Sequence, residues 1–352
     1  MDTDLLGPPE PAEPAEPEQP AEPSAESLPA EVSPNAPVLI PADQYDRSQW
    51  LGSSDIAAVL GVSPWRNAVD VWLDKTAPRV IEAAESLAMK RGKRMEPVVL
   101  DWAAEDYHLV VWHRNRRFGL PDQRFAAELD GEVAEVGEGA SYDEARLQNA
   151  EVKTASAFMA REWGQQWESP DALPLHYLCQ TQWALGVTGR SLCRVFAWIG
   201  DELRQYFVEA DPELIGEMQR QAGLFMTRNV DQHIRPALNT DHPHAAATLA
   251  RLFPGTDGTI RHASTNDEVW YTVLQDAQAR AAHYEAVATG ARLHLVEVME
   301  NASQLAFKDG QALRRAYRTR RGYTVEPTEY WDCRIAKLTE PNAAKPKRRA
   351  QS

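Results

Sequence analysis

The sequence predicts a mixed α/β (α+β) fold, in which helices flank a central mixed sheet and a mainly helical extension follows. Three observations predict it. Between about residues 45 and 228 the local signals run α-α-α-β-β-β-β-α-β-β-α, an order that builds one sheet with helices on its faces. Before residue 40 the chain is Pro-, Glu- and Ala-rich, a composition that buries too little apolar surface to offset its ordering entropy. Beyond Asp231 a long pattern of helical period takes over. The expected division is a disordered acidic arm at 1–40, a folded domain at 41–230, a helical extension with short strands at 231–340, and a basic disordered tail at 341–352.

Element by element, Ser53-Ser54-Asp55 is expected to cap a short helix, Ile56–Leu60, that Gly61 ends. Ser63-Pro64 is expected to start a second helix, burying Trp65, Ala68, Val69, Val71 and Trp72. A third spans about 83–106, with Gly92 and Pro97 marking a kink or restart and Met95, Val98, Val99 and Trp102 on one face. Short strands follow at His108–Trp112, Arg117–Leu120, Arg124–Leu129 and Leu147–Lys153, with a polar connection at Glu132–Ala145 between the last two. Helices are expected at Ala155–Trp163 and Leu173–Gly186. Ser191–Ile199 and Glu202–Glu209 form a hairpin around Gly200-Asp201, and Asp211-Pro212 opens a helix to about Arg228. In the extension, residues 265–300 space Val269, Val273, Ala277, Ala281 and Tyr284 as a helix does, and Ser303–Lys308 and Tyr330–Ala336 read as strands.

Charge and cysteine content narrow the chemistry. The net charge is −15, but nine acids and no Lys or Arg fall within residues 1–35, and removing those nine leaves −6 for the rest. Such a balance permits a local basic groove for phosphate, because pairing follows the local field. Three scattered cysteines (Cys179, Cys193, Cys333) exclude a four-thiolate zinc or iron–sulfur site within one chain. There is no basic-then-apolar leader and no apolar run near the ~20 residues of a membrane span. The expectation is a cytoplasmic protein without membrane contact.

The chemistry-bearing signal is Leu129-Asp130-Gly131 followed by Glu151-Val152-Lys153. In a strand residues i and i+2 share a face, so Glu151 and Lys153 point the same way. Two carboxylates and a lysine at one strand edge are what metal-dependent phosphodiester hydrolysis needs: acids for a hard cation, and an ammonium to position or help deprotonate a water. An ordinary strand-edge charge pair has the same spacing, so the surroundings must decide. They are Trp50-Leu-Gly-Ser-Ser-Asp-Ile-Ala-Ala-Val-Leu-Gly-Val-Ser-Pro-Trp65, Arg91-Gly-Lys-Arg-Met-Glu96 and Tyr177-Leu-Cys-Gln180-Thr-Gln182, in that order along the chain.

Together these stretches resemble the YqaJ-like viral recombinase family, the phage lambda-type exonucleases of the PD-(D/E)XK nuclease superfamily, over about residues 45–228. The resemblance implies a restriction-endonuclease-like core and a metal-dependent exonuclease acting on double-stranded DNA ends, with Mg²⁺ as cofactor and Mn²⁺ as a substitute. It implies Asp130, Glu151, Glu96 and the carbonyl of Val152 as metal ligands and Lys153 as the catalytic lysine. Gln180 and Tyr177, three apart on a helix, match the family's Tyr-x-x-Gln, with Gln180 placed to bond the scissile phosphate or the water. Arg47 and Ser54 are spaced as the residues that receive a terminal 5′-phosphate, and Gly92 is expected to let the Glu96 helix approach the sheet closely. The arginine that the family places after Glu-x-Lys has no strict match: Met159 stands at the offset and Arg161 nearby. A single-strand annealing protein and a ring trimer are the partners the resemblance implies. The alternatives are a structure-specific or restriction-like endonuclease of the same superfamily, and a non-catalytic DNA-binding or DNA-mimicking protein. Intact Asp130, Glu151 and Lys153 argue against the last.

Overall fold

The structure is a computed structural model that describes residues 36–77, 86–136, 142–164 and 172–319. The acidic arm up to residue 35, Cys333, the strand expected at Tyr330–Ala336 and the basic tail lie outside the described residues. The chain divides into two compact units, Met1–Thr248 and Leu249–Ser352.

In the first unit, seven strands among the described residues form one mixed sheet. They are β1 (Val38–Leu39), β2 (Leu51–Gly52), β3 (Leu109–Leu120), β4 (Phe125–Glu135), β5 (Gln148–Ala155), β6 (Leu192–Ile199) and β7 (Glu202–Glu209). The order is β1-β3-β4-β5-β6-β7, with β2 added beside β4. β5 with β6 and β2 with β4 are parallel, and the other pairs antiparallel. The helices are α1 (Ser53–Val59), α2 (Ala68–Thr76), α3 (Leu87–Asp106), α4 (Leu175–Thr188) and α5 (Pro212–Leu224), which runs into a π-helical stretch Phe225–Asp231. A further helix, α6, spans Ala245–Leu252. This is the central mixed sheet flanked by helices that the sequence predicts.

α4 packs on the sheet through Trp183, whose ring lies 4.7 Å from that of Phe125 and whose indole N–H donates to the Ala126 carbonyl at 3.0 Å. Its other side meets Cys193, Val195 and Tyr206, so α4 is buried on two sides. α3 covers the other region of the sheet with Val99, Leu100 and Ala103.

Several local expectations change. The runs 108–112 and 117–120 are one strand, β3, with a bulge after Val111 and Asn115 at φ 53°. The arginine-rich middle stays in the strand because Arg114, Arg116 and Arg117 find Asp101, Glu132 and Glu128. α1 starts at Ser53, with Gly52 as its cap residue and its amide donating to the Asp55 carboxylate at 3.3 Å. The second helix begins at Ala68 instead of Pro64, because Asn67 accepts from the amides of Val69 and Asp70. Ser63 instead accepts from the Trp65 and Arg66 amides in a turn, and Trp65 is half exposed rather than buried. α3 runs unbroken through Gly92 and Pro97, and Val98 and Trp102 face outward. Ala157–Glu162 is 3-10 rather than α-helical.

The close helix–sheet approach falls at Gly131 and not at Gly92. A Cβ on Gly92 would meet nothing nearer than the Thr154 hydroxyl at 3.9 Å, whereas on Gly131 it would come within 2.7 Å of Leu100 Cδ2. The glycine after Asp130 is therefore a packing requirement of α3 on β4.

Two buried ionic clusters brace the sheet and the α1 region. Glu132, with no exposed surface, is held by Arg116 and Arg190, whose guanidiniums each sit 5.2 Å from the Phe118 ring. Asp55 in α1 is 1% exposed and pairs with Lys75 at 2.9 Å and Arg66 at 2.9 Å. Lys75 also donates to the carbonyls of Arg47 (2.7 Å) and Trp50 (2.6 Å), tying the loop before α1 to α2. Burial alone would raise the Asp55 carboxyl, but Lys75, Arg66 and Arg47 outweigh it and hold that carboxyl far below the usual range.

In the second unit, α7 (Thr265–Met299) starts at a reciprocal Ser264–Asp267 cap and is followed by the hairpin β8 (Gln304–Ala306) and β9 (Ala312–Arg314). Val269, Val273 and Tyr284, expected on one side of this helix, are exposed.

Two outcomes follow. Gly131→Val should cost about 1–3 kcal/mol by overpacking Leu100, read as a lower urea midpoint, whereas Gly92→Ala should not destabilise. Asp55→Asn should cost about 3–5 kcal/mol at neutral pH, because Lys75 is left buried without its partner. A folded-state carboxyl below its unfolded value of 3.8 stabilises above that pH and loses its effect as pH falls further. The gap between wild type and Asp55→Asn should therefore hold from pH 7 to 5 and close below about pH 4; a gap insensitive to acid would refute this role.

Candidate active site

The site forms where two strands part. β4 and β5 pair only through Gly131–Val133 and Gln148–Ala150. Beyond this the Val152 amide has no strand carbonyl, and the Asp130 carboxylate takes it at 2.7 Å. The N–H and C=O of one extended residue point to the same edge, so the Val152 carbonyl faces the same gap. The neighbouring residues of β5, Glu151 and Lys153, pair in register with Val195 and Ala197 of β6.

Glu151 and Lys153 share a face, as the strand period requires, and form an ion pair. α4 closes over them. Gln180 Nε2 donates to Glu151 Oε1 at 2.6 Å, and Lys153 Nζ lies 5.1 Å from the centre of the Tyr177 ring. The two α4 residues thus act from one helix face, three positions apart. Tyr177 belongs to an aromatic run: its ring is 5.4 Å from Trp163 and 4.1 Å from His176, which in turn is 4.6 Å from Trp65. His176 is a neighbour that the motif reading did not single out. Burial and the Lys153 charge push its imidazole down to about 4, so it is neutral at pH 7.

Electrostatics bring in the remaining acids. The Asp130 carboxyl is pushed well up by burial and by Glu151. Glu96, half-buried on α3, is raised by its own burial and then by Glu151. Burial would lower the Lys153 ammonium, but Glu151 and Asp130 outweigh it and raise its pKa, so it is charged. Three carboxyl groups and one ammonium thus act on one another's charge. Among the described residues no group of three or more His, Cys, Asp or Glu side chains is placed to hold a metal ion. The donor chemistry, three carboxylates and a backbone carbonyl, suits a hard oxygen-seeking ion.

Arg47 and Ser54 also come together: Arg47 Nη2 donates to Ser54 Oγ at 3.2 Å. Since Gly52 occupies the cap position of α1, the Ser54 hydroxyl is free for this contact. Arg47 lies 3.6 Å from Asp55, so the pocket rests on the Asp55–Lys75–Arg66 cluster, which the motif reading overlooked. A signal was present in Asp55 and Lys75 on two adjacent predicted helices, but only packing pairs them. Arg161 stands exposed on the 3-10 turn after β5 and makes no hydrogen bond or ion pair with Arg47 or Ser54 among the described residues.

Residues 44–191 match the YqaJ-like viral recombinase domain. The uncharacterized protein YqaJ of Bacillus subtilis (strain 168) is 28% identical over 198 residues, covering 52% of this chain. The chain spans about half the length of that curated relative, 56% of it. Among solved structures, LHK-Exo in complex with dAMP aligns with TM-score 0.40 and 15% identity, over 59% of this chain and 96% of the other. The alkaline exonuclease LHK-Exo from Laribacter hongkongensis aligns with TM-score 0.39 and 16% identity, over 53% and 91%. Among the described residues no helix is long and apolar enough to cross a membrane. By this match, residues 44–191 of the chain are similar to the YqaJ-like viral recombinase domain.

Proposed function

We propose that this domain is a metal-dependent deoxyribonuclease that degrades double-stranded DNA from its ends, exposing single strands for an annealing protein. The observation that carries the reading is the gap between β4 and β5, where Asp130, Glu151, Lys153 and the Val152 carbonyl face one another under Gln180. The family match supports the same reading. Cytoplasmic action, a ring trimer and the annealing partner belong to this proposal through the resemblance.

Asp130, Glu151, Glu96 and the Val152 carbonyl would hold Mg²⁺, with Mn²⁺ as a substitute. A cation bound there lowers the pKa of water and offsets charge on the phosphate. The chain's own groups do the rest. Lys153, charged and held at Glu151, orients the attacking water and stabilises negative charge gathering on the non-bridging oxygens. Gln180 fixes the Glu151 carboxylate, so the acid presents its second oxygen to the site. Water adds to phosphorus and gives up one proton to solvent as the bond to the leaving ester oxygen breaks, and that oxygen departs with a proton from solvent. Arg47 and Ser54 would receive a terminal phosphate, which suits an enzyme that starts at an end.

Lys153→Ala should abolish cleavage of linear duplex DNA, by about 10²-fold or more, while gel-shift affinity for the same DNA changes little. Normal turnover by the folded variant would remove Lys153 from the mechanism. EDTA should stop release of nucleotides from end-labelled linear duplex, and excess Mg²⁺ should restore it. Covalently closed duplex should survive; its cleavage at a rate equal to linear DNA would favour the endonuclease instead.

A further inference from the structure

Next to the strand gap, α3 and the ends of β5 and β6 enclose a second concavity of about 150 Å³. Arg91 and Met95 line one wall, Thr154 and Ser156 a second, and Trp198 and Gly200 a third. The chain alternates along the end of β5, so Thr154 lies on the opposite face from Glu151 and Lys153. The cavity is nevertheless built on the same two elements as the site: Thr154 directly follows Lys153 on β5, and Met95 directly precedes Glu96 on α3.

The polar groups lining this cavity have no partner of their own. Among the described residues Arg91 makes no ion pair or hydrogen bond, and the Thr154 hydroxyl makes none. Ser156 sits at the start of the 3-10 turn without making the side-chain capping bond available there. One guanidinium and two hydroxyls with open valences are a donor set for a tetrahedral oxyanion. Further cations lie along the same helix. The first turns of α3 carry Lys90, Arg91, Lys93 and Arg94, and the first turn holds no acid. Cations at a helix N-terminus oppose its dipole, so folding alone does not favour this arrangement, whereas an anionic ligand does. Trp198, its ring centre 4.8 Å from that of Trp102 and tilted by 39° to it, gives the cavity a flat apolar wall of the kind that a sugar or base can cover.

We infer that this cavity binds a backbone phosphate of the DNA strand adjacent to the scissile one, through Arg91 with Thr154 and Ser156. The inference rests on the nuclease reading and adds a subsite to it: a positioning contact that holds the strand in register while the residues of the gap cut. A released mononucleotide carries the same phosphate chemistry, so the test separates the two sources.

The test uses the full chain with Mg²⁺ and linear duplexes carrying one uncharged methylphosphonate at successive positions around the cleaved bond. At one position wild type should lose about tenfold in KM with kcat little changed, the scale of one charge-assisted hydrogen bond. Arg91→Ala should show a raised KM on normal DNA and no further loss at that position. Its log KM should also depend less steeply on log salt, by about one phosphate contact. Thr154→Val/Ser156→Ala should weaken the same position with Arg91 intact, and Arg91→Lys should restore part of the KM. Coupling to Arg91 at no position overturns the subsite while leaving the nuclease intact. So does competition by free deoxynucleoside monophosphate that depends on Arg91 without any methylphosphonate effect. A wild-type protein that neither binds nor cuts DNA overturns the nuclease reading itself, and the subsite with it.

Discussion

The Val152 amide has no strand partner, and the site is organised around that lack. A buried amide left unpaired is costly, and the Asp130 carboxylate removes the cost by accepting it. The same contact carries Asp130 into the gap between β4 and β5, alongside the Val152 carbonyl. Glu151 and Lys153 enter from the α4 face and Glu96 from α3. A fully paired sheet would keep the two faces apart; a sheet that opens at one point lets acids from both faces influence one another.

The gap is stable because its surroundings are not free to move. At the closed end Glu132 binds Arg116 and Arg190, fixing β4 to β3 and to the segment after α4. Leu100 packs where Gly131 has no side chain, setting the depth of α3. Beside α4, Asp55, Lys75 and Arg66 hold the loop that presents Arg47 and Ser54. Charge is thus used in two ways. The structural clusters pair each acid with cations, whereas the gap sets three acids against one lysine.

Much of this was legible along the chain. Period two put Glu151 and Lys153 on one face, and the spacing of three put Tyr177 and Gln180 together; both hold because they concern residues within one element. The misreadings arise where a side chain had a choice of partners. Ser63 looks like a helix cap, but it bonds the Trp65 and Arg66 amides, and Asn67 takes the cap. The arginines of β3 look like a break between strands, yet acids on α3 and β4 neutralise them within the strand. Gly92 looks like the site of close approach, whereas the tight contact is at Gly131, because only the packed register shows which glycine lies under Leu100.

By itself the sequence determined the mixed α/β class, most of the elements, and which pairs of residues within one element share a face, since these follow from local period, turn chemistry and residue type. The tertiary structure alone decided where the sheet opens, which acids share one field, that Lys153 stays charged, and that Arg91 meets Thr154 and Ser156 around one cavity. Those outcomes depend on burial and on distances between residues far apart in the chain. Neither quantity is written in the spacing of Asp130, Glu151 and Lys153.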